Sequence, residues 1–278
     1  MVTDLPTLPA LGPDDMSLGA DPSLLHDELR YVITQAIANE PRSLQKEIGI
    51  SEIGTPCVRR LAYQLAEMPA VNASGVPWRA AVGRCVHTWL QEIFITDNRR
   101  HGFTRWLTET RVNPGEIDGV PLFGHSDMYD RVTASVVDWK VPGPTAMKGA
   151  RKDGPKPGYR VQAHTYGLGY TKRGLPVERV HIAFLPSAGE LSDAVWWSEP
   201  YDEEVALAAL ERASDIRKMI NQLGIATVAM LSTGTTDYCT YCDWFSPGKN
   251  DPASGNCCGS DEMVKERARK VQSPPSPW

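Results

Sequence analysis

Gly124-His125-Ser126-Asp127 and, eleven positions beyond that Asp, Asp138-Trp139-Lys140 decide how this chain is read. Both stretches sit in runs rich in β-branched and aromatic residues, Val120–Asp130 and Ser135–Val141, which predict two strands joined as a hairpin. Along a strand, positions i and i+2 share a face, so Asp138 and Lys140 point one way while Val137 and Trp139 point the other. A hairpin brings Asp127 beside them. Two carboxylates and an amine at one place suit hydrolysis of a phosphodiester with Mg²⁺ or Mn²⁺: the acids hold a hard cation, and the lysine orients or activates a water. Buried same-face charges are costly without such a use, although Lys140 as a plain ion-pair partner of Asp138 is the alternative.

Outward from that hairpin the order is mixed. Helical periodicity covers 22–40 (Leu24, Leu25, Leu29, Val32, Ile33 and Ile37 on one face), 57–67, and 78–96 with Val82, Val86, Trp89, Leu90, Ile93 and Phe94 inward. A strand over Phe103–Asn113 precedes the hairpin and carries a further acid, Glu109. A Gly/Pro-rich loop over 142–158 follows it, then a helix from Arg160 to Lys172, strands at Glu178–Pro186 and Ala194–Ser198, and a helix over 202–223. Helices, strands, helix, strands, helix predict an α/β (α+β) fold with a mixed central sheet. No Walker-type phosphate loop is present.

The chain has 278 residues, 41% hydrophobic content and a net charge of −5. That allows one large core and excludes a globally basic nucleic-acid coat protein, but not a nuclease, which needs only a local basic groove. Lys148, Arg151, Lys152, Lys156 and Arg160 form such a local run just after the Asp138/Lys140 strand. By itself the run reads as a solvated loop; its position raises the case for phosphate contact. No apolar run reaches membrane-span length, and the acidic first twenty residues do not read as a signal peptide, so the expectation is a cytoplasmic protein with a disordered leader at 1–20. A charged, Pro-rich tail occupies 261–278. Six cysteines without an export signal point to metal or redox chemistry.

The ordered series Gly83-Arg84-Cys85-Val86-His87, Gly124-His125-Ser126-Asp127, Asp138-Trp139-Lys140 and Gln162-x-x-x-Tyr166 resembles the PD-(D/E)xK nuclease superfamily, in particular the RecB-like exonucleases that include CRISPR-associated adaptation nucleases and phage relatives. The resemblance implies a restriction-endonuclease-like domain over 21–260, with a helical N-terminal part and a C-terminal cysteine region. It implies His87, Asp127 and Asp138 as ligands of Mg²⁺ or Mn²⁺, Lys140 as the catalytic lysine, and Gln162 and Tyr166, one helical turn apart, facing the site. The implied activity is a DNA exonuclease on single-stranded ends, with recombination or CRISPR-adaptation proteins as possible partners. The alternatives are a non-catalytic DNA-binding or adaptor module and a redox-responsive iron–sulfur protein that binds DNA.

Thr55-Pro56-Cys57-Val58-Arg59-Arg60-Leu61-Ala62-Tyr63 resembles the members of this group that carry an iron–sulfur cluster, with one cysteine before the nuclease core and three after it. By that resemblance Cys57, Cys239, Cys242 and either Cys257 or Cys258 hold a [4Fe–4S] cluster, with Cys257 preferred and Zn²⁺ as the alternative metal. Cys85, inside an apolar helix, reads as a small core residue. Arg59 and Arg60 are candidates for DNA phosphates or, equally, for helix ends and acids.

Overall fold

In the computed structural model, which describes residues 22–39, 48–72, 78–234, 239, 241–260 and 262–264, the third strand is the axis of the architecture. Strand β3 (Ser135–Lys140) has Val136 in one hydrophobic core and Trp139 in another, because alternate residues face opposite sides of the sheet. Around it lie β1 (Trp106–Ile117), β2 (Val120–Asp130), β4 (Arg179–Phe184) and β5 (Val195–Pro200), in the spatial order β1-β2-β3-β4-β5. Only β3 and β4 run parallel; the other pairs are antiparallel. A parallel pair needs a long crossover. Here α5 (Pro144–Asp153) and α6 (Pro157–Thr171) supply it.

The larger core lies on the Val136 face. It joins Tyr129, Val180 and Ile182 to α2 (Ile50–Ile53), α3 (Val58–Leu65), α6 and α7 (Glu203–Leu223). Helix α6 comes close to the sheet because Gly169 has no side chain; a Cβ there would sit 2.7 Å from Cβ of Val112. The opposite face carries α4 (Trp78–His101), whose Leu90 packs with Met128, Trp139 and Ala183. The Phe94 and Trp139 rings stack at 5.6 Å, and truncating a buried ring of this kind to Ala costs about 3–5 kcal/mol.

The chain divides into two bodies, Met1–Gln45 and Lys46–Trp278, and every element above belongs to the second. The first contains α1 (Pro22–Ala38), on which Leu25, Leu29, Val32 and Ile33 are exposed. The leader at 1–20 and all of the tail except 262–264 lie outside the described residues. No described helix is long and apolar enough to cross a membrane.

The mixed sheet flanked by helices agrees with the expected α+β class, and three local expectations change. Residues 142–158 are not a long loop. Pro144 opens α5 at a position where its fixed φ suits a helix and its missing N–H costs nothing, and Gly154 closes it at φ +76. On α4, Trp89 and Ile93 are exposed rather than inward, since the helix meets a narrow sheet over one stripe only. Cys85 is exposed for the same reason, and is not a core residue.

Candidate metal centre

The β2–β3 ladder pairs Asp130 with Ser135, Tyr129 with Val136 and Met128 with Val137, and stops there. One step further, where Asp127 and Asp138 would be level, the strands part. The Asp127 carboxylate fills the gap: its Oδ2 accepts a 2.7 Å hydrogen bond from the Trp139 backbone N–H, in place of a ladder carbonyl. Its Oδ1 lies 3.2 Å from Nδ1 of His87, which α4 delivers from the other side. Burial is the largest single influence and works against charge on His87, but the hydrogen bond and charge of Asp127, with the charge of Asp138, together raise the imidazole pKa.

Glu109 completes this corner. Thr108 pairs with Met128 and Thr110 with Ser126, so Glu109 stands opposite Asp127. Its φ is +45, in the left-handed region that a non-glycine residue rarely enters. His87, Glu109 and Asp127 each offer a ligand atom, and the three atoms lie within 4.8 Å of one another. Two carboxylates and an imidazole at that spacing suit a hard divalent cation.

Asp138 behaves differently. It is 0% exposed, and neither carboxyl oxygen has a well-directed hydrogen bond among the described residues. Nζ of Lys140 lies 2.5 Å from its Oδ2, an ion pair at short range but off the hydrogen-bonding direction. Burial pushes the Asp138 carboxyl pKa up against the pull of Lys140. Burial also opposes the charge on Lys140, yet Asp138 and Asp127 together raise its pKa, so the ammonium is retained. Asp138 is not among the three groups that converge within 4.8 Å; its carboxylate, ion-paired to Lys140, lies at the edge of the same charged cluster.

Helix α6 positions the lysine. Nζ donates to Oε1 of Gln162 at 2.9 Å, and Nε2 of Gln162 donates to the Tyr166 hydroxyl at 3.3 Å. The ring of Tyr159, three residues before Gln162, lies 4.9 Å from Nζ. Sequence reading passed over Tyr159, although the i, i+3 spacing to Gln162 places both on one helical face. The structure thus brings His87, Asp127, Asp138, Lys140, Gln162 and Tyr166 together, and places Glu109 beside His87 and Asp127 as a third group that could hold a cation.

The basic residues separate. Lys148, Arg151 and Lys152 are exposed on the outer face of α5, whose Met147 and Ala150 face the core. Arg151 donates to the Asp193 carbonyl at 2.9 Å. Arg59 is not available to a phosphate: it is 8% exposed and donates to two carbonyls, an amide and a sulfur inside the protein. Arg60 borders the hollow that the cysteines line.

That hollow is the second candidate centre. Cys57, Cys239, Cys242 and Cys257 are buried and line it together with Tyr63 and Phe245. Cys258 is only half-buried, and its thiol contacts its own neighbour's carbonyl at Gly259. Burial raises the pKa of the Cys239 thiol and pushes that of Cys242 up to about 11. Thiolates in so apolar a place need a cation; among the described residues the cysteine sulfurs do not converge within 4.8 Å as the His87 group does, but four thiols lining one hollow are the donor set of an iron–sulfur cluster or zinc.

No family model matches this chain, and none of the curated proteins matches it. Among solved structures, the crystal structure of SSO0001 superposes with a TM-score of 0.50 at 16% identity, over 81% of this chain and 98% of that one. An alkaline exonuclease (LHK-Exo) from Laribacter hongkongensis gives 0.45 at 14% identity, over 64% of this chain and 89% of its own; its complex with dAMP gives the same values. At these identities the likeness to SSO0001 is one of fold.

Proposed function

We propose that this protein is a divalent-metal-dependent nuclease that hydrolyses phosphodiesters of DNA, acting on single-stranded ends. The observation that carries the reading is the meeting of His87, Glu109 and Asp127 within 4.8 Å, beside a buried Asp138–Lys140 pair. In this reading His87, Glu109 and Asp127 would hold Mg²⁺ or Mn²⁺, with the Lys140-paired carboxylate of Asp138 at the edge of the set. A bound cation would neutralise charge on the phosphoryl oxygens and acidify a water.

The protein's own part is orientation. Asp127 is fixed by the Trp139 N–H, so a ligand oxygen is held by backbone rather than by a mobile side chain. Lys140 is held charged by Asp138 and aimed by Gln162 and Tyr166. From there its ammonium can steer an attacking water or donate a hydrogen bond to a phosphate oxygen. The exposed Lys148 and Lys152 on α5, the crossover that follows β3, supply the positive charge that draws a strand toward the site.

The four buried cysteines are read as ligands of a [4Fe–4S] cluster, with zinc as the alternative. Such a centre would act as a covalent clip between α3 and the C-terminal segment.

The test is cleavage of end-labelled single-stranded DNA with Mn²⁺ or Mg²⁺. Asp127→Ala and Lys140→Ala should each lose about a thousandfold or more in rate, roughly 4 kcal/mol of barrier, with far-UV circular dichroism unchanged. Persistent cleavage in both variants would sink the reading. Metal-dependent DNA binding without turnover would favour a binding module instead.

A further inference from the structure

Arg59 has an environment that the nuclease reading does not explain. It lies in the first turn of α3, two residues after Cys57, whose sulfur caps the helix by accepting from the Arg60 N–H at 3.3 Å. Nη1 of Arg59 donates to Sγ of Cys257 at 3.6 Å and to Oδ1 of Asn250 at 3.2 Å. Nη2 donates to the carbonyls of Ala229 at 2.7 Å and Leu231 at 3.1 Å. Among the described residues no carboxylate lies within ion-pairing distance of it, although elsewhere in this chain Arg105 and Arg160 each find one.

A guanidinium cannot shed its charge, and a buried one without an anion is strongly unfavourable. Carbonyls and an amide accept from Nη1 and Nη2, Nε has no hydrogen-bond partner among the described residues, and none of these groups answers the charge. Among the described residues, the one hydrogen-bonded partner of Arg59 that can become an anion is the Cys257 sulfur. Four thiolates around zinc or around a [4Fe–4S] core make a centre with net negative charge, whichever metal is present. A buried cation against one corner of that centre is the complement such a site requires. The fork also reaches past the sulfur to the carbonyls of 229 and 231, so charge pairing and chain positioning share one side chain.

We infer that Arg59 is the counter-ion of the cysteine centre. It is a positioning residue that marks Cys257 as the charge-assisted, hydrogen-bonded ligand and ties the centre to the segment ending at Leu231. This rests on the proposal that the four cysteines bind a metal. Hydrogen bonds and net charge at the sulfurs govern both the hold on a metal and the potential of an iron–sulfur centre. Arg59 therefore acts on properties of the centre itself, beyond any effect on folding.

The experiment uses the full chain, purified without oxygen, as wild type, Arg59→Gln and Arg59→Lys. Iron and zinc per chain are measured, then the rate of metal transfer to a chelator and, where iron is present, the midpoint potential. Arg59→Gln should release metal about 10–100-fold faster than wild type. Its iron centre should have a more negative potential, because the charge that stabilises the added electron is gone. Arg59→Lys keeps the charge but not the fork, so it should restore the potential while still releasing metal faster. If Arg59→Gln does not fold, that dissociation of the two readouts in Arg59→Lys carries the test. Wild-type release rates and potential in the variants would overturn the inference. A wild-type chain with neither iron nor zinc would overturn the metal reading of the cysteines, and this inference with it.

Discussion

The strand pocket and the cysteine hollow are built on opposite principles. In the pocket, charged groups are held by one another and by backbone: Asp127 by the Trp139 N–H, Lys140 by Asp138 and Gln162. Its geometry is set before a cation arrives. In the hollow, buried thiols face apolar walls, with burial raising the pKa of Cys239 and Cys242 and a single buried guanidinium at Cys257. Protein contacts do fasten its rim. Tyr63 stacks on Trp244 and donates to the Asn256 carbonyl, and Asn72 donates to the Cys242 carbonyl. None of these contacts neutralises a thiolate. The comparison teaches that the pocket should tolerate metal removal, whereas the hollow should depend on its ligand.

The largest effect should come from the hollow. Cys57→Ser should abolish metal content and lower stability by on the order of 5 kcal/mol, since the binding energy of a structural thiolate centre is folding energy. Thermal unfolding with and without chelator measures it. Equal melting temperatures for wild type and variant would erase the contrast between the two regions.

The pocket should respond to loss of pairing rather than to loss of metal. Asp138→Asn leaves the Lys140 ammonium without its nearest partner and should cost about 3 kcal/mol in metal-free buffer. Asp138→Asn combined with Lys140→Gln should recover most of that, because neither member of the pair is left charged without the other. Urea unfolding of the single and double variants decides. Additive losses would show that the pair is not coupled as described.

A smaller effect, at the other end of the same hairpin, calibrates both. Burial raises the Asp130 pKa, but hydrogen bonds from Arg105, Thr133 and the Val132 N–H outweigh it and hold the carboxyl at about 2, below its ordinary 3.8. A depressed acid contributes its stability above the unfolded value and loses it as pH falls through the folded one. Asp130 should therefore add roughly 2 kcal/mol above pH ~5, lost as pH falls toward about 2. Asp130→Asn should remove that increment at neutral pH and flatten the acid limb of the stability curve; an unchanged limb would show that the ion pair contributes nothing.

Much of the pocket was legible in the sequence because its parts are local. Asp138 and Lys140 share a face by strand period, and Gln162 and Tyr166 share one by helix period. Glu109 was visible as an acid on the preceding strand, but its membership in the cation corner depends on the β1–β2 register and a left-handed φ, which no local pattern announces. Arg59 and Arg60 read alike in sequence, as candidates for phosphates or equally for helix ends and acids; burial separates them. Residues 142–158 read as loop because glycine and proline break helix interiors, whereas Pro144 and Gly154 are the two ends of a helix.

The sequence by itself determined the strands, their order among the helices other than α2 and α5, and the residue types able to bind a cation or a thiophilic metal, since alternation, periodicity and ligand chemistry act over a few neighbours. Only the tertiary structure decided that the β2–β3 ladder ends one step before Asp127, that Asp138 is sealed while Glu109 joins His87, and that Arg59 meets Cys257. Those outcomes follow from where strands part and which side chains are denied water, and they are settled by groups far apart in the chain.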